Sequence, residues 1–131
     1  MGAGGRWFES SRPDFRVIKT MYTYKAAVTR IVDGDTIIVD IDLGFGVWLK
    51  DQSVRLAKIN APEIRGSSRE SGIIAKDFLS NLILNKWVQI RTEKGKEKYG
   101  RWLATILLEE DGNLIDINRK MVVEGHAETY K

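Results

Sequence analysis

The sequence predicts an α+β fold, mainly β: a five-stranded barrel of the OB type with two helices. Three observations lead there. Five stretches alternate or run apolar at strand length, one shows an apolar stripe at helical spacing, and another carries helix-capping signals. Their order is three strands, a helix, two strands and a helix, which suits a small closed barrel. The third observation is size: 131 residues without an internal repeat or linker suit one domain with a single core.

Residues 1–20 precede the patterned part and show little hydrophobic pattern and no signal-peptide core. The codons of Trp7-Phe8-Glu9-Ser10 can read TGG-TTC-GAR-TCN, which contains the T-arm sequence of a transfer-RNA gene. Met21 stands just ahead of the first strand. We expect residues 1–20 to be a misplaced gene start and residues 21–131 to be the domain. The rival reading is a genuine disordered basic arm.

Tyr24 to Val32 reads as the first strand, with Ala26, Val28 and Arg30 on one face. Asp33-Gly34-Asp35 is a turn or bulge. In Thr36 to Asp42, Ile37, Val39 and Ile41 point one way and Ile38, Asp40 and Asp42 the other. Leu43-Gly44-Phe45-Gly46 is a turn with glycines suited to positive φ. Val47 to Ile59 supplies a third strand, interrupted near Asp51-Gln52. Val54, Leu56 and Ile59 face the core, which leaves Arg55 on the other face. A loop over 60–69 follows, in which Pro62 stiffens the chain that carries Glu63.

Helix is expected from Glu70 to Leu84, with Ile74, Ala75, Phe78, Leu79 and Leu82 as its stripe and Asn85 as its stop. Trp87 to Arg91 is the fourth strand, Thr92 to Lys98 a charged loop, and Leu103 to Leu108 the fifth strand. Asn113 reads as the N-cap of a helix from Leu114 to Glu124, with Gly125 past its end.

Composition narrows the chemistry. Without cysteine there can be no disulfide and no cysteine–zinc site. His126 is the single histidine, so two-histidine metal sites are excluded, and nothing beside it resembles a nucleophile elbow. Catalysis would fall to carboxylates, arginines, lysines, tyrosines and a hard metal. The net charge of +3 is less informative than it looks. Residues 1–20 hold four basic and two acidic residues, which leaves 17 basic against 16 acidic in the domain. Attraction to phosphates must therefore be local. No apolar run reaches the roughly 18 residues of a membrane span.

Three stretches could carry a reaction. Asp33-Gly34-Asp35-Thr36 sets two carboxylates around a glycine and suits a hard cation such as Ca²⁺, although a plain Asp-Gly turn explains it as well. An EF-hand is excluded because its twelfth loop position falls on Gly44. Arg55 and Glu63 pair a guanidinium that binds two phosphate oxygens with a carboxylate that takes a proton from water; a surface salt bridge is the plainer alternative. Lys98-Tyr99-Gly100-Arg101 suits phosphate and base contact, or is an exposed basic loop.

Taken together, these stretches resemble the thermonuclease (micrococcal nuclease-like) family. The resemblance rests on Asp33-Gly34-Asp35-Thr36, on Arg55-Leu56 with Pro62-Glu63, and on Lys98-Tyr99-Gly100-Arg101 followed by Leu103-Ala104, in that order and spacing over residues 24–130. It implies an OB-fold phosphodiesterase that cleaves DNA and RNA with Ca²⁺. Arg55 and Arg101 match the phosphate-binding arginines and Glu63 the catalytic carboxylate. Asp35 matches one calcium carboxylate, Ala61 the backbone carbonyl ligand, and Lys98 and Tyr99 the nucleotide contacts. Asn60 departs from the pattern by standing where a second calcium carboxylate is expected. On this resemblance we expect no counterpart of the family's third helix, with Tyr130 standing in for the aromatic residues beyond it. Trp48, Trp87 and Trp102 are expected to pack in the core or at the barrel rim.

The resulting expectation is a monomeric, cytoplasmic, metal-dependent nuclease acting on DNA, RNA or both. A catalytically inactive OB module that binds nucleic acid or protein is the alternative. A structural domain with scattered solvating charges is the third reading, and convergence of Arg55, Glu63, Arg101 and Asp35 in one cleft separates it from the others.

Overall fold

The computed structural model describes residues 22–96 and 100–130, with the side chains of 93–96 left aside. Strands β1 (Tyr22–Asp33), β2 (Thr36–Gly44) and β3 (Val47–Leu56) form an antiparallel meander. After the short β4 (Ile59–Asn60) and a single 3₁₀ turn (Gly66–Ser68) comes helix α1 (Arg69–Ile83). Strands β5 (Trp87–Lys96) and β6 (Trp102–Glu110) follow, then β7 (Asn113–Asp116), helix α2 (Ile117–Val123) and β8 (Glu128–Thr129).

The sheet runs β3-β2-β1-β5-β6-β7 and closes because β3 also pairs in parallel with β6. The closure joins β1, β2, β3, β6 and β5 into a five-stranded barrel, as the element order predicts. Its interior takes one face of each strand: Ala26, Val28, Ile37, Val39, Val54, Leu56, Ile90, Ala104 and Ile106 are all essentially buried. Helix α1 closes one end with Ala75, Leu79 and Ile83, and α2 contributes Ile117 and Met121. Asn85 ends α1 in the left-handed region at φ 62°, which asparagine tolerates better than most residues. Among the described residues no helix is long and apolar enough to cross a membrane.

Several boundaries differ from expectation. Arg30 is exposed rather than aligned with Val28, because a bulge between them flips the alternation and sends Ile31 inward instead. Ile74 is 52% exposed; the buried face of α1 runs through Gly72, Ala75, Leu79 and Ile83, with Phe78 and Leu82 flanking it. Strand β5 continues through Lys96, where a loop from Thr92 was expected, because Thr92 still pairs with Ala104. Asn113 is not an N-cap. Asn113–Asp116 pairs with Leu107–Glu110 as β7, and Asp116 caps α2 by accepting the Arg119 N–H at 3.1 Å. Trp48 and Trp87 meet at 5.8 Å and are partly exposed, while Trp102 packs half-buried against the core and donates its indole N–H to Gln52.

Candidate active site

Strand register gathers the site. Thr36 lies opposite Arg55 in the β2–β3 pair, and the parallel β3–β6 closure sets Val54 and Arg55 beside Trp102 and Leu103. Arg101, just before β6, therefore arrives next to Thr36 and Arg55. No local pattern announces this; it follows from closing the barrel.

The first piece is the turn between β1 and β2. Asp33 Oδ1 accepts the Asp35 N–H at 3.1 Å, so this aspartate folds the turn. Gly34 is required by close approach. A Cβ there would lie 2.8 Å from the Cβ atoms of both Ala61 and Ala75. The small residues let the turn, the loop after β4 and α1 meet at one point. As a result the Ala61 N–H reaches Asp35 Oδ2 at 2.9 Å.

Asp35 is 7% exposed and fully engaged. Its Oδ1 accepts the Thr36 hydroxyl at 3.1 Å, and its Oδ2 lies 3.5 Å from Arg55 Nη2. The same Arg55 nitrogen donates to Asn60 Oδ1 at 3.0 Å, while Nη1 donates to the Leu56 carbonyl. Arg101 donates to Thr36 Oγ1 at 3.3 Å. One connected network thus joins Arg101, Thr36, Asp35, Arg55, Asn60 and the Ala61 amide. Two guanidiniums flank a single buried carboxylate. Burial pushes the neighbouring Asp33 carboxyl up to about 6, with Asp35 beside it adding to the rise.

Glu63 stands apart from that network. Its carboxylate is 76% exposed and faces the equally open Arg65 at 3.8 Å, a pair worth little in water. Its backbone is held firmly: the carbonyl accepts the Ser68 hydroxyl at 2.9 Å, and Gly72 of α1 lies directly against it. Lys98 and Tyr99 lie outside the described residues.

Sequence reading missed three contributors. Gly72 has no signature beyond being a glycine in a helix. Asn118, 5% exposed, accepts the Ile106 N–H and donates to the Ala57 and Ala104 carbonyls, fixing the backbone between Arg55 and Asn60. The third is the C-terminal ribbon, in which β8 pairs with β4 and the Tyr130 N–H donates to Lys58 O at 2.7 Å. That ribbon sets the Tyr130 ring 5.5 Å from the Arg55 guanidinium, within cation–π reach.

Asp35, Asn60 and the backbone at Ala61 are hard oxygen donors, which fit Ca²⁺ and not a soft metal. Among the described residues no three acidic or histidine side chains form a metal cage. A cation here would share its coordination with water or substrate oxygens.

The family profile described as Staphylococcal nuclease homologue matches residues 53–131. A micrococcal nuclease of Shigella flexneri is 37% identical over 113 residues, covering 82% of this chain and 59% of that protein. A thermonuclease of Staphylococcus hyicus is 35% identical over 109 residues, covering 80% and 57%. An uncharacterised protein of Methanocaldococcus jannaschii is 29% identical over 135 residues, covering 86% and 62%. The chain spans about three-fifths of the length of these relatives. With the barrel and the profile match over residues 53–131 in agreement, the chain belongs to the staphylococcal nuclease homologue family.

Proposed function

We propose that this domain is a Ca²⁺-dependent nuclease that hydrolyses phosphodiester bonds of DNA, RNA or both with little sequence preference. The observation that carries the reading is the placement of Arg55 and Arg101 on either side of Thr36 and Asp35. Attack on a phosphodiester builds negative charge on the non-bridging oxygens, and two fixed guanidiniums stabilise that charge as it grows. Each can bind two oxygens at once, which a lysine cannot. Glu63, exposed and on a backbone tied to α1, orients or deprotonates the attacking water. Lys98 and Tyr99 contact the nucleotide, and Tyr130 adds an aromatic surface beside Arg55.

Calcium would be held by Asp35, Asn60 and the Ala61 carbonyl, and would supply Lewis-acid polarisation of a phosphate oxygen. An inactive binding module would have no use for two phosphate-binding arginines gathered on one buried carboxylate.

Digestion of single-stranded DNA and RNA with Ca²⁺, Mg²⁺ or EDTA tests the proposal. Cleavage should require Ca²⁺ and stop in EDTA. Glu63→Gln should lower turnover far more than substrate affinity, and Arg55→Lys and Arg101→Lys should each lose activity. Full cleavage in EDTA, or near wild-type rates in all three variants, would overturn the assignment.

A further inference from the structure

We propose that Glu128 completes the calcium site by supplying the carboxylate that Asn60 lacks; the inference rests on the calcium reading above. Asn60 and Glu128 are direct partners in the antiparallel β4–β8 ribbon. Such partners share a face, with Cβ atoms about 5 Å apart. The neighbouring pair, Ile59 and Thr129, takes the opposite face, and Ile59 is buried there. Arg55 marks which face Asn60 and Glu128 occupy. Its guanidinium donates to Asn60 Oδ1 at 3.0 Å and lies over the ring of Tyr130, two residues beyond Glu128 and so on its face.

A cavity of about 260 Å³ joins the two sides. Asn60, Ala61 and Pro62 line one wall, and Gly125 to Glu128 the other. Ala61, the backbone ligand in the reading above, and Glu128 therefore border one space.

Charge balance gives the reason a further carboxylate is needed. Two guanidiniums approach the network through Asp35 and Thr36, and Asp35 is its one buried carboxylate. A divalent ion bound to Asp35 and a neutral amide would face that positive field with one negative charge. Asp33 is committed to the turn through the Asp35 N–H. Glu128 is exposed and lines the cavity. Calcium affinity scales with the number of charged ligands, so a glutamate on the strand next to Asn60 offsets the missing aspartate.

Calcium binding to the full chain, measured by isothermal titration calorimetry without nucleic acid, tests this. Glu128→Gln should weaken binding about tenfold or more. The loss should persist at about 0.5 M KCl, because salt screens a remote charge but not a coordinating one. Adding Asn60→Asp to Glu128→Gln should restore affinity to within about threefold of wild type, since it returns a carboxylate to the same face. Glu128→Gln binding within about twofold of wild type would overturn the role of Glu128 while leaving the calcium site standing. A wild-type chain that takes up no Ca²⁺ at millimolar concentration would overturn the calcium reading itself.

Discussion

Replacing Gly72 with alanine adds one methyl group where α1 lies against the loop that carries Glu63. The new Cβ would sit 2.5 Å from the Glu63 carbonyl oxygen, 2.7 Å from its carbonyl carbon and 2.9 Å from the Ile64 nitrogen. All three are backbone atoms, so no side chain can swing aside. Reaching an ordinary contact of 3.4 Å requires either the loop or the helix to move by several tenths of an ångström. The helix is pinned by Ala75, Leu79 and Ile83, each fully buried, so the loop yields. On the proposed role of Glu63, a displacement approaching 1 Å there costs on the order of 100-fold in rate. Stability should change much less. Alanine gains about 1 kcal/mol over glycine in a helix, against about 1–3 kcal/mol for overpacking. Turnover at saturating Ca²⁺ and the thermal midpoint, measured on the same preparation, separate the two effects. We expect kcat to fall by one to two orders of magnitude while the midpoint drops by only a few degrees. A Gly72→Ala protein with kcat within about threefold of wild type would show that the loop is not positioned through α1.

Asn118→Ala should cost about 2–4 kcal/mol in urea unfolding, because it orphans the buried Ile106 N–H and Ala57 carbonyl while Ala104 O keeps the Ala57 N–H. A loss below about 1 kcal/mol would mean that water takes its place. Asp33 titrates near 6 in the folded chain against 3.8 unfolded, so the native state holds its proton more tightly and stability falls as pH rises from about 4 to 6. Asp33→Asn, measured in EDTA, should flatten that fall and raise stability at neutral pH while keeping an oxygen for the Asp35 N–H; an unchanged pH profile would refute the raised value. Phe45 is fully exposed in the left-handed region at φ 55°. Phe45→Gly should therefore leave stability within about 1 kcal/mol, on the stabilising side, as relief of the left-handed strain outweighs lost chain entropy. A larger loss in thermal unfolding would mean that the ring packs against something in solution.

Much of the fold was legible because burying one face of a strand imposes a period of two. Ile37, Val39 and Ile41 alternate with Ile38, Asp40 and Asp42, and the interior takes the first set. The Asp33–Thr36 turn, Arg55 on the outward face and Arg101 behind a glycine could likewise be read in order and spacing. Where periodicity is broken, the reading slipped. A bulge moved Arg30 outward, and Asn113–Asp116 joined the sheet instead of opening a helix because Leu107–Glu110 offered an unpaired edge.

By itself, then, the amino-acid order determined the strands, the two helices and the residue types able to meet a phosphate, since each depends on neighbours a few positions away. Only the tertiary structure decided which of them meet. The β3–β6 closure brought Arg101 to Thr36, Gly34 and Gly72 let α1 lie against the two site loops, and a two-residue ribbon put Glu128 opposite Asn60. The physical reason is that these contacts join residues far apart in the chain, through barrel closure, the space left by a missing Cβ and pairings too short to show a period.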